Sequence, residues 1–231
     1  MIEPNYKRRI IASKPASLSW PAYKSLTNRY YQEVETYDWT DTVNRWWLLE
    51  SWFHRYREWR LIRLLRPYLK QDAKALDIGC GTGLILRHLP PHSIGLDLNP
   101  RNLERLKKYV PKAIGQLCDL ESGIPYPDQT FDIVTAAEVL EHLIYPERVL
   151  AEIHRVLKPT GVLVGSVPMR SLFWKFRFLS ITLHSNTRHY PIKEPFHNEM
   201  GMNDAHELLA TKFDRIKLYP TFTNIFFVAH K

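Results

Sequence analysis

The chain has 231 residues, 45% of them hydrophobic and 24% charged, which suits a soluble α/β domain with an elaboration and excludes a low-complexity or disordered chain. Its two cysteines exclude a disulfide framework, and no apolar run has the length of a membrane span or a signal peptide. We therefore expect a cytoplasmic protein with no transmembrane segment. The net charge of +8 is uneven, since residues 1–70 hold 13 Lys/Arg, 7 Asp/Glu and six of the seven tryptophans.

Three prolines within residues 1–38 predict that this stretch is irregular. From Asp41 to Leu69, apolar residues recur at three- and four-residue steps, which predicts a helix that ends near Pro67. We define residues 1–70 as an N-terminal helical or lid segment. A basic, tryptophan-rich segment can contact nucleic acid, a membrane surface or an acidic substrate, or it can pack on a sheet, and the sequence leaves these alternatives open.

From residue 71 onwards, strand and helix patterns alternate. The run "KALDIG" predicts a strand and "TGLILRHL" the helix after it, and the alternation continues to a final helix and two strands. This pattern predicts an α/β fold with a Rossmann-like seven-stranded sheet over residues 71–231, made of five parallel β–α units and a terminal strand pair. The basic, aromatic residues 168–200 are predicted to form an inserted cap over the substrate.

Three of the nine glycines stand together directly after the first predicted strand. Gly79, Gly81 and Gly83 would let a ligand approach the backbone closely at the carboxyl end of that strand. A dinucleotide favours G-x-G-x-x-G, but the position of the third glycine is Leu84. Asp77 would repel a pyrophosphate and would suit a cationic amino-acid group. The pattern therefore favours S-adenosylmethionine over a nicotinamide dinucleotide.

Acidic residues also end the next two predicted strands. Asp97 can accept hydrogen bonds from both hydroxyls of a ribose. Asp119 can accept one from the amino group of adenine, with Leu98 and Leu120 on either side of the ring. Each aspartate alone could be a turn residue or a helix cap, but three acids at successive strand ends favour an adenosine site.

Segments across residues 74–167, and more loosely 203–231, resemble the class I S-adenosylmethionine-dependent methyltransferases. They include "ALDIGCGTG", "GLDLNP" and "VLAEIHRVLKPTGVLVGSVP". The resemblance implies S-adenosylmethionine as the cofactor and a methyltransferase activity. The predicted cofactor-binding residues are Asp77, Gly79, Cys80, Gly81, Gly83, Asp97, Leu98, Asp119, Leu120 and Glu138.

Glu138, Glu141 and His142 form an E-x-x-E-H pattern after the fourth predicted strand. On a helical turn these three side chains would share one face and could hold Mg²⁺, Mn²⁺ or Zn²⁺, with His197 as a fourth ligand. The pattern resembles quinone-pathway O-methyltransferases and small-RNA 3′-terminal 2′-O-methyltransferases, which implies a metal that lowers the pKa of the accepting hydroxyl. The same pattern also occurs without a metal. In that case His142 is the predicted general base, and Glu138 is the other candidate catalytic residue.

These patterns predict a methyltransferase that acts on an oxygen or nitrogen of a small or amphiphilic acceptor. The alternatives are a metal-dependent RNA 2′-O-methyltransferase, a non-catalytic S-adenosylmethionine-binding scaffold and a nicotinamide-dependent oxidoreductase. A net charge of +8 is modest for sequence-independent RNA binding, which favours the small acceptor. Peripheral contact with a membrane remains open.

Overall fold

The computed structural model describes residues 17–33, 38–44, 49–169, 198 and 200–231. No helix in these ranges is both long enough and apolar enough to cross a lipid bilayer. The helices and strands are α1 (Trp20–Glu33), α2 (Trp39–Asn44), α3 (Leu49–Leu65), β1 (Ala75–Ile78), β2 (Ile94–Asp97), α4 (Pro100–Tyr109), β3 (Ile114–Leu117), β4 (Phe131–Ala137), α5 (Pro146–Val156), β5 (Leu157–Pro168), α6 (Met202–Ala210), β6 (Arg215–Pro220) and β7 (Asn224–His230).

The seven strands form one sheet in the order β3-β2-β1-β4-β5-β7-β6. Strands β1 to β5 are parallel, and β7 runs antiparallel to both of its neighbours, β5 and β6. The predicted seven-stranded Rossmann-like sheet with a terminal strand pair is confirmed. From β1 the chain continues to β2 on one side and later to β4 on the other, so the carboxyl end of β1 borders the crevice where ligands bind in such sheets.

Both faces of the sheet are covered, which is why the central strands are apolar throughout. All four residues of β1 are buried. On one face, Leu76 and Ile78 belong to a cluster that includes Leu150 of α5. On the other face, Ala75 lies in a second cluster with Leu61 of α3. The inner side of helix α3 therefore packs against the sheet.

Helix α1 lies in a region that was predicted to be irregular. Pro21 is the second residue of α1 and stands in the first helical turn, where its missing N–H and fixed φ are tolerated. The prediction was therefore wrong for residues 20–33. The helix predicted from Asp41 to Leu69 is divided between α2 and α3, and residues 45–48 lie outside the described ranges.

The prediction of an α-helix after β1 is also wrong, because only a 3-10 turn, Leu86–His88, forms there. Gly83 still has a positive φ of 93°, and Pro90 follows soon after the turn. The interval between them is too short for several helical turns. In the described chain, α4 lies between β2 and β3, α5 lies between β4 and β5, and α6 follows β5.

Candidate cofactor and active site

The three glycines after β1 have different surroundings. Gly79, Gly81 and Gly83 all have positive φ, at 60°, 52° and 93°. A Cβ on Gly79 would lie 2.6 Å from a methyl of Val139, and one on Gly83 would lie 2.5 Å from a methyl of Leu106. A Cβ on Gly81 would meet no atom within 4 Å. Gly79 and Gly83 are therefore required by packing, whereas Gly81 faces open space at the ligand edge.

Asp97, the last residue of β2, fixes the glycine loop. Its Oδ2 accepts a hydrogen bond from the N–H of Gly81 at 2.8 Å. Its Oδ1 accepts from the N–H of Asn99 at 2.8 Å and from Nδ2 of Asn102 at 3.1 Å. Burial raises the pKa of Asp97 above its ordinary value. Hydrogen bonds from the N–H groups of Asn99, Gly81 and Leu98 and from the side chain of Asn102 act in the opposite direction and favour the ionised carboxylate.

Asp77, in β1, is a buried carboxyl with 2% of its surface exposed. Its Oδ1 accepts a hydrogen bond from the hydroxyl of Thr135 on β4 at 2.5 Å. Desolvation, with a further contribution from the charge of Asp97, raises the pKa of Asp77 to about 7. Asp77 is therefore poised to ionise near neutral pH when a cation lies beside it.

Asp119, which follows β3, is held by helix α1. Its Oδ2 accepts hydrogen bonds from Nζ of Lys24 at 2.7 Å and from Nδ2 of Asn28 at 3.0 Å. Burial alone would raise the pKa of Asp119, but hydrogen bonds from Lys24 and Ser122 lower it below its ordinary value. The other oxygen, Oδ1, accepts from the N–H of Glu121 at 3.1 Å. Helix α1 thus lies directly over the predicted adenine end of the site.

Helix α2 contacts the glycine loop. The hydroxyls of Thr40 and Thr82 lie 2.8 Å apart, and the N–H of Thr40 donates to Oγ1 of Thr82 at 3.3 Å. Both threonines are buried. The sequence did not reveal either helix contact, although Lys24, Asn28 and Tyr31 stand at the i, i+4, i+7 spacing of one helix face.

Cys80, Leu98 and Leu120 complete the predicted cofactor set. The sulfur of Cys80 packs against β2, since a Cβ on Gly95 would lie 2.7 Å from it, and the residue is 6% exposed. The side chain of Cys80 therefore faces the core, and its backbone alone lies along the loop. Leu98 is half-buried and Leu120 is buried. Each of these leucines directly follows a strand-end aspartate, Asp97 or Asp119.

His142 lies beneath helix α1. Its Nδ1 is 3.0 Å from the hydroxyl of Tyr31, and the two rings meet edge to face with centroids 5.5 Å apart. Its Nε2 lies 3.7 Å from Oε1 of Glu141. Burial lowers the pKa of His142 to about 4, so the imidazole is uncharged at neutral pH. An uncharged imidazole can accept or donate a hydrogen bond, but with this pKa it is a weak base.

Glu138 does not share a face with Glu141 and His142. The predicted helical turn is a 3-10 turn, Leu140–His142, and Glu138 precedes it with a positive φ of 56°. This conformation directs the Glu138 carboxylate towards β5 and β7. There Oε1 accepts from the hydroxyl of Ser166 at 2.5 Å, and both oxygens lie 2.9 Å from Nδ2 of Asn224. The common face expected for the E-x-x-E-H pattern is therefore absent.

Arg57 of α3 completes this cluster, with Nη1 lying 3.3 Å from Oε2 of Glu138. Both side chains are largely buried, at 11% and 13% exposed. The described residues contain no group of three or more His, Cys, Asp or Glu side chains that could hold a metal ion. His197 lies outside the described residues. Because the Glu138 carboxylate is already bound by a cation and two hydrogen-bond donors, the described residues do not fit a metal centre.

The sequence is similar to known proteins over part of its length. Residues 76–165 match the family described as "Methyltransferase domain". Sterol 24-C-methyltransferase erg-4 of Neurospora crassa is 31% identical over 153 residues, which cover 60% of this chain and 40% of that protein. Ubiquinone biosynthesis O-methyltransferase of Hahella chejuensis is 29% identical over 160 residues, which cover 60% of this chain and 62% of that protein. The chain thus spans less than two thirds of either curated relative.

Solved structures show the same fold. A crystal structure described as a SAM-dependent methyltransferase, possible histamine N-methyltransferase, from Thermotoga maritima superposes with a TM-score of 0.59. The identity is 18%, and the superposition covers 83% of this chain and 98% of the other. At this identity the likeness shows the fold alone.

Proposed function

We propose that this chain, a class I S-adenosylmethionine-dependent methyltransferase by its fold and by the match of residues 76–165, methylates an oxygen or nitrogen of a small or amphiphilic acceptor. One observation carries the proposal: Gly81 faces open space beside the carboxylate of Asp97, to which its N–H donates a hydrogen bond. When bound, S-adenosylmethionine supplies a methyl group already activated on a sulfonium. The relatives named for sterol and ubiquinone methylation favour an apolar acceptor of small size.

The strand-end residues would divide the cofactor between them. Asp77 would face the cationic amino-acid end, and Asp97 would accept from the ribose. Asp119 would accept from adenine through Oδ1, because its Oδ2 is already occupied by Lys24 and Asn28. Helices α1 and α2 of the N-terminal segment, which contact Asp119 and Thr82, would act as the lid that excludes water from the transfer.

The acceptor would meet His142 and Tyr31. With a pKa of about 4, His142 would orient the acceptor by a hydrogen bond more than it would remove a proton, and catalysis would rest mainly on in-line positioning. We expect Tyr31→Phe and His142→Gln to lower kcat while leaving the Kd for S-adenosylmethionine within about twofold, since both change the Tyr31–His142 contact and leave the strand-end aspartates intact. Steady-state kinetics with cofactor titration check this. A Kd raised as much as kcat is lowered would instead place both residues at the cofactor.

Affinity for S-adenosylmethionine should depend on pH through Asp77. The pKa of Asp77 in the free protein is about 7, and a bound ammonium group would lower it. Binding below pH 7 must therefore release a proton. We expect affinity to fall by at most about tenfold for each pH unit below 7 and to level off above it. Calorimetric titration in buffers of different ionisation enthalpy measures both the affinity and the released proton.

Asp77→Asn should remove this pH dependence and weaken binding above pH 7. The matched control is Asp128→Asn, because Asp128 is an exposed aspartate 2.8 Å from Arg155. An affinity independent of pH in the wild-type protein would show that Asp77 does not face the cofactor's ammonium group.

The function itself is tested by transfer of labelled methyl from S-adenosylmethionine into a cell extract that is then separated into organic, small polar and RNA fractions. We expect label in the organic or small polar fraction, unchanged by a chelator, because Glu138 is committed to Arg57. Label in RNA that is lost with chelator would instead support the metal-dependent RNA enzyme. Cofactor binding without any transfer would support the scaffold.

A further inference from the structure

The outer face of helix α3 carries aromatic and arginine side chains throughout. Trp52 is 63% exposed, Trp59 51% and Tyr56 44%. Helix faces that meet water usually carry charged residues of both signs. Among the side chains described in α3, from Ser51 to Leu65, the exposed ones are Trp52, Arg55, Tyr56, Trp59 and Arg63.

These side chains form one continuous stripe. Trp52, Tyr56, Trp59 and Arg63 follow helical spacing along a single face. The ring centroids of Tyr56 and Trp59 are 6.0 Å apart. The guanidinium carbon of Arg63 lies 5.4 Å from the centroid of the Trp59 ring. Arg55 is held beside the stripe by a hydrogen bond from Nε to the carbonyl of Val43 at 2.7 Å.

The opposite face of α3 packs against the rest of the protein, which holds the stripe in place on the surface. Leu61 and Leu65 are fully buried, and the acid of this face, Glu58, accepts hydrogen bonds from Arg87 and from Nε2 of His88. No exposed acid stands on α3 among its described side chains. The stripe is therefore cationic as well as aromatic.

The stripe begins at the edge of the sheet where ligands are expected. Arg57, midway along α3, reaches Glu138 after the carboxyl end of β4. Tyr68, just after α3, contacts His230 at 3.1 Å, at the end of the antiparallel strand β7 and hence at the opposite edge. Trp52 is consequently the member of the stripe nearest the ligand edge.

We propose that this face of α3 binds the surface of an anionic lipid bilayer. Tryptophan and tyrosine rings insert at the level of the headgroups, and arginine side chains pair with anionic lipids. The charge is complementary, since residues 1–70 have a net charge of +6 from 13 basic and 7 acidic residues. A net charge of +8 is modest for sequence-independent RNA binding, which favours a bilayer over RNA at this face. Membrane contact at this face does not depend on methyl transfer or on the identity of the acceptor.

The test is co-sedimentation of the full chain with vesicles of phosphatidylcholine alone and of phosphatidylcholine mixed with phosphatidylserine. We expect binding to the anionic vesicles, weakened by salt because exposed charges are screened. The double variant Trp52→Ala/Trp59→Ala and the single variant Arg63→Glu should each bind the anionic vesicles at least about tenfold more weakly than the wild-type protein does. The matched controls are Ile114→Ala, which removes a half-exposed apolar residue from the far edge strand β3, and Lys107→Glu, which reverses an exposed charge on α4.

S-adenosylmethionine binding and thermal unfolding of the same variants should match the wild-type protein, which separates this proposal from the proposed function. Loss of cofactor binding with vesicle binding intact would overturn the function and leave the membrane surface standing. Equal binding to both kinds of vesicle, or none, overturns the membrane proposal. The proposal is also overturned if the wild-type protein binds single-stranded RNA but not vesicles, and the Trp52→Ala/Trp59→Ala variant loses the RNA binding.

Discussion

Replacing Gly81 with valine is expected to weaken S-adenosylmethionine binding by roughly 100-fold, since overpacking a fitted site costs up to about 3 kcal/mol. The added side chain would project into space that holds no protein atom within 4 Å of a Cβ and that the cofactor is proposed to fill. Valine at a φ of 52° also strains the backbone, which costs roughly 1–3 kcal/mol, so a loss of stability is expected beside the loss of binding. Calorimetric titration and thermal unfolding measure the two effects separately.

Two other glycines make this prediction specific. Gly83→Ala should destabilise the protein strongly, because its Cβ would collide with Leu106 and Val110 at 2.5 and 2.8 Å. Gly123→Ala adds backbone strain at φ 122° with its nearest neighbour, Glu152, at an ordinary 3.6 Å. It should lower stability without blocking the cofactor. If Gly81→Val bound S-adenosylmethionine normally, the ligand would not lie against this loop.

The sequence predicted the sheet and the three strand-end aspartates because both are local patterns. A buried parallel strand gives a short apolar run in the sequence, and an acid at the end of that strand lies within the same few residues. Asp77, Asp97 and Asp119 accordingly lie at the ends of neighbouring strands. The different roles of the three glycines were not predictable, because they depend on neighbours such as Val139 and Leu106 that are distant in the chain.

The contacts of α1 escaped prediction for the same reason. Lys24 and Asp119 are separated by 95 positions, and nothing in either local sequence identifies the other as its partner. The prediction made from the E-x-x-E-H pattern, a common face for its three side chains, failed for a different reason. Its common face required helical backbone at Glu138, whereas this residue has a left-handed conformation and its carboxylate contacts the distant Ser166 and Asn224. Composition and spacing carry no signal for such a conformation.

Glu138→Ala is expected to lower the free energy of unfolding by about 3–5 kcal/mol, as is usual when one partner of a buried ion pair is removed. The variant would leave the guanidinium of Arg57, only 11% exposed, without the carboxylate now 3.3 Å away. It would also leave Ser166 and Asn224 without their acceptor. Chemical denaturation of the variant measures the loss directly. Glu104→Ala, which removes an exposed carboxylate from α4, is the control and should change stability by less than about 0.5 kcal/mol.

A double-mutant cycle separates this structural role from a catalytic one. Arg57→Ala alone should be about as destabilising as Glu138→Ala, and the double variant should lose less than the sum of the two, with a coupling of about 1–3 kcal/mol. Glu138→Gln keeps the shape and part of the hydrogen bonding, so it should lose stability and turnover together. If Glu138→Gln kept full stability and lost turnover alone, Glu138 would act on the substrate or on a metal. The Arg57 contact would then be incidental to its function.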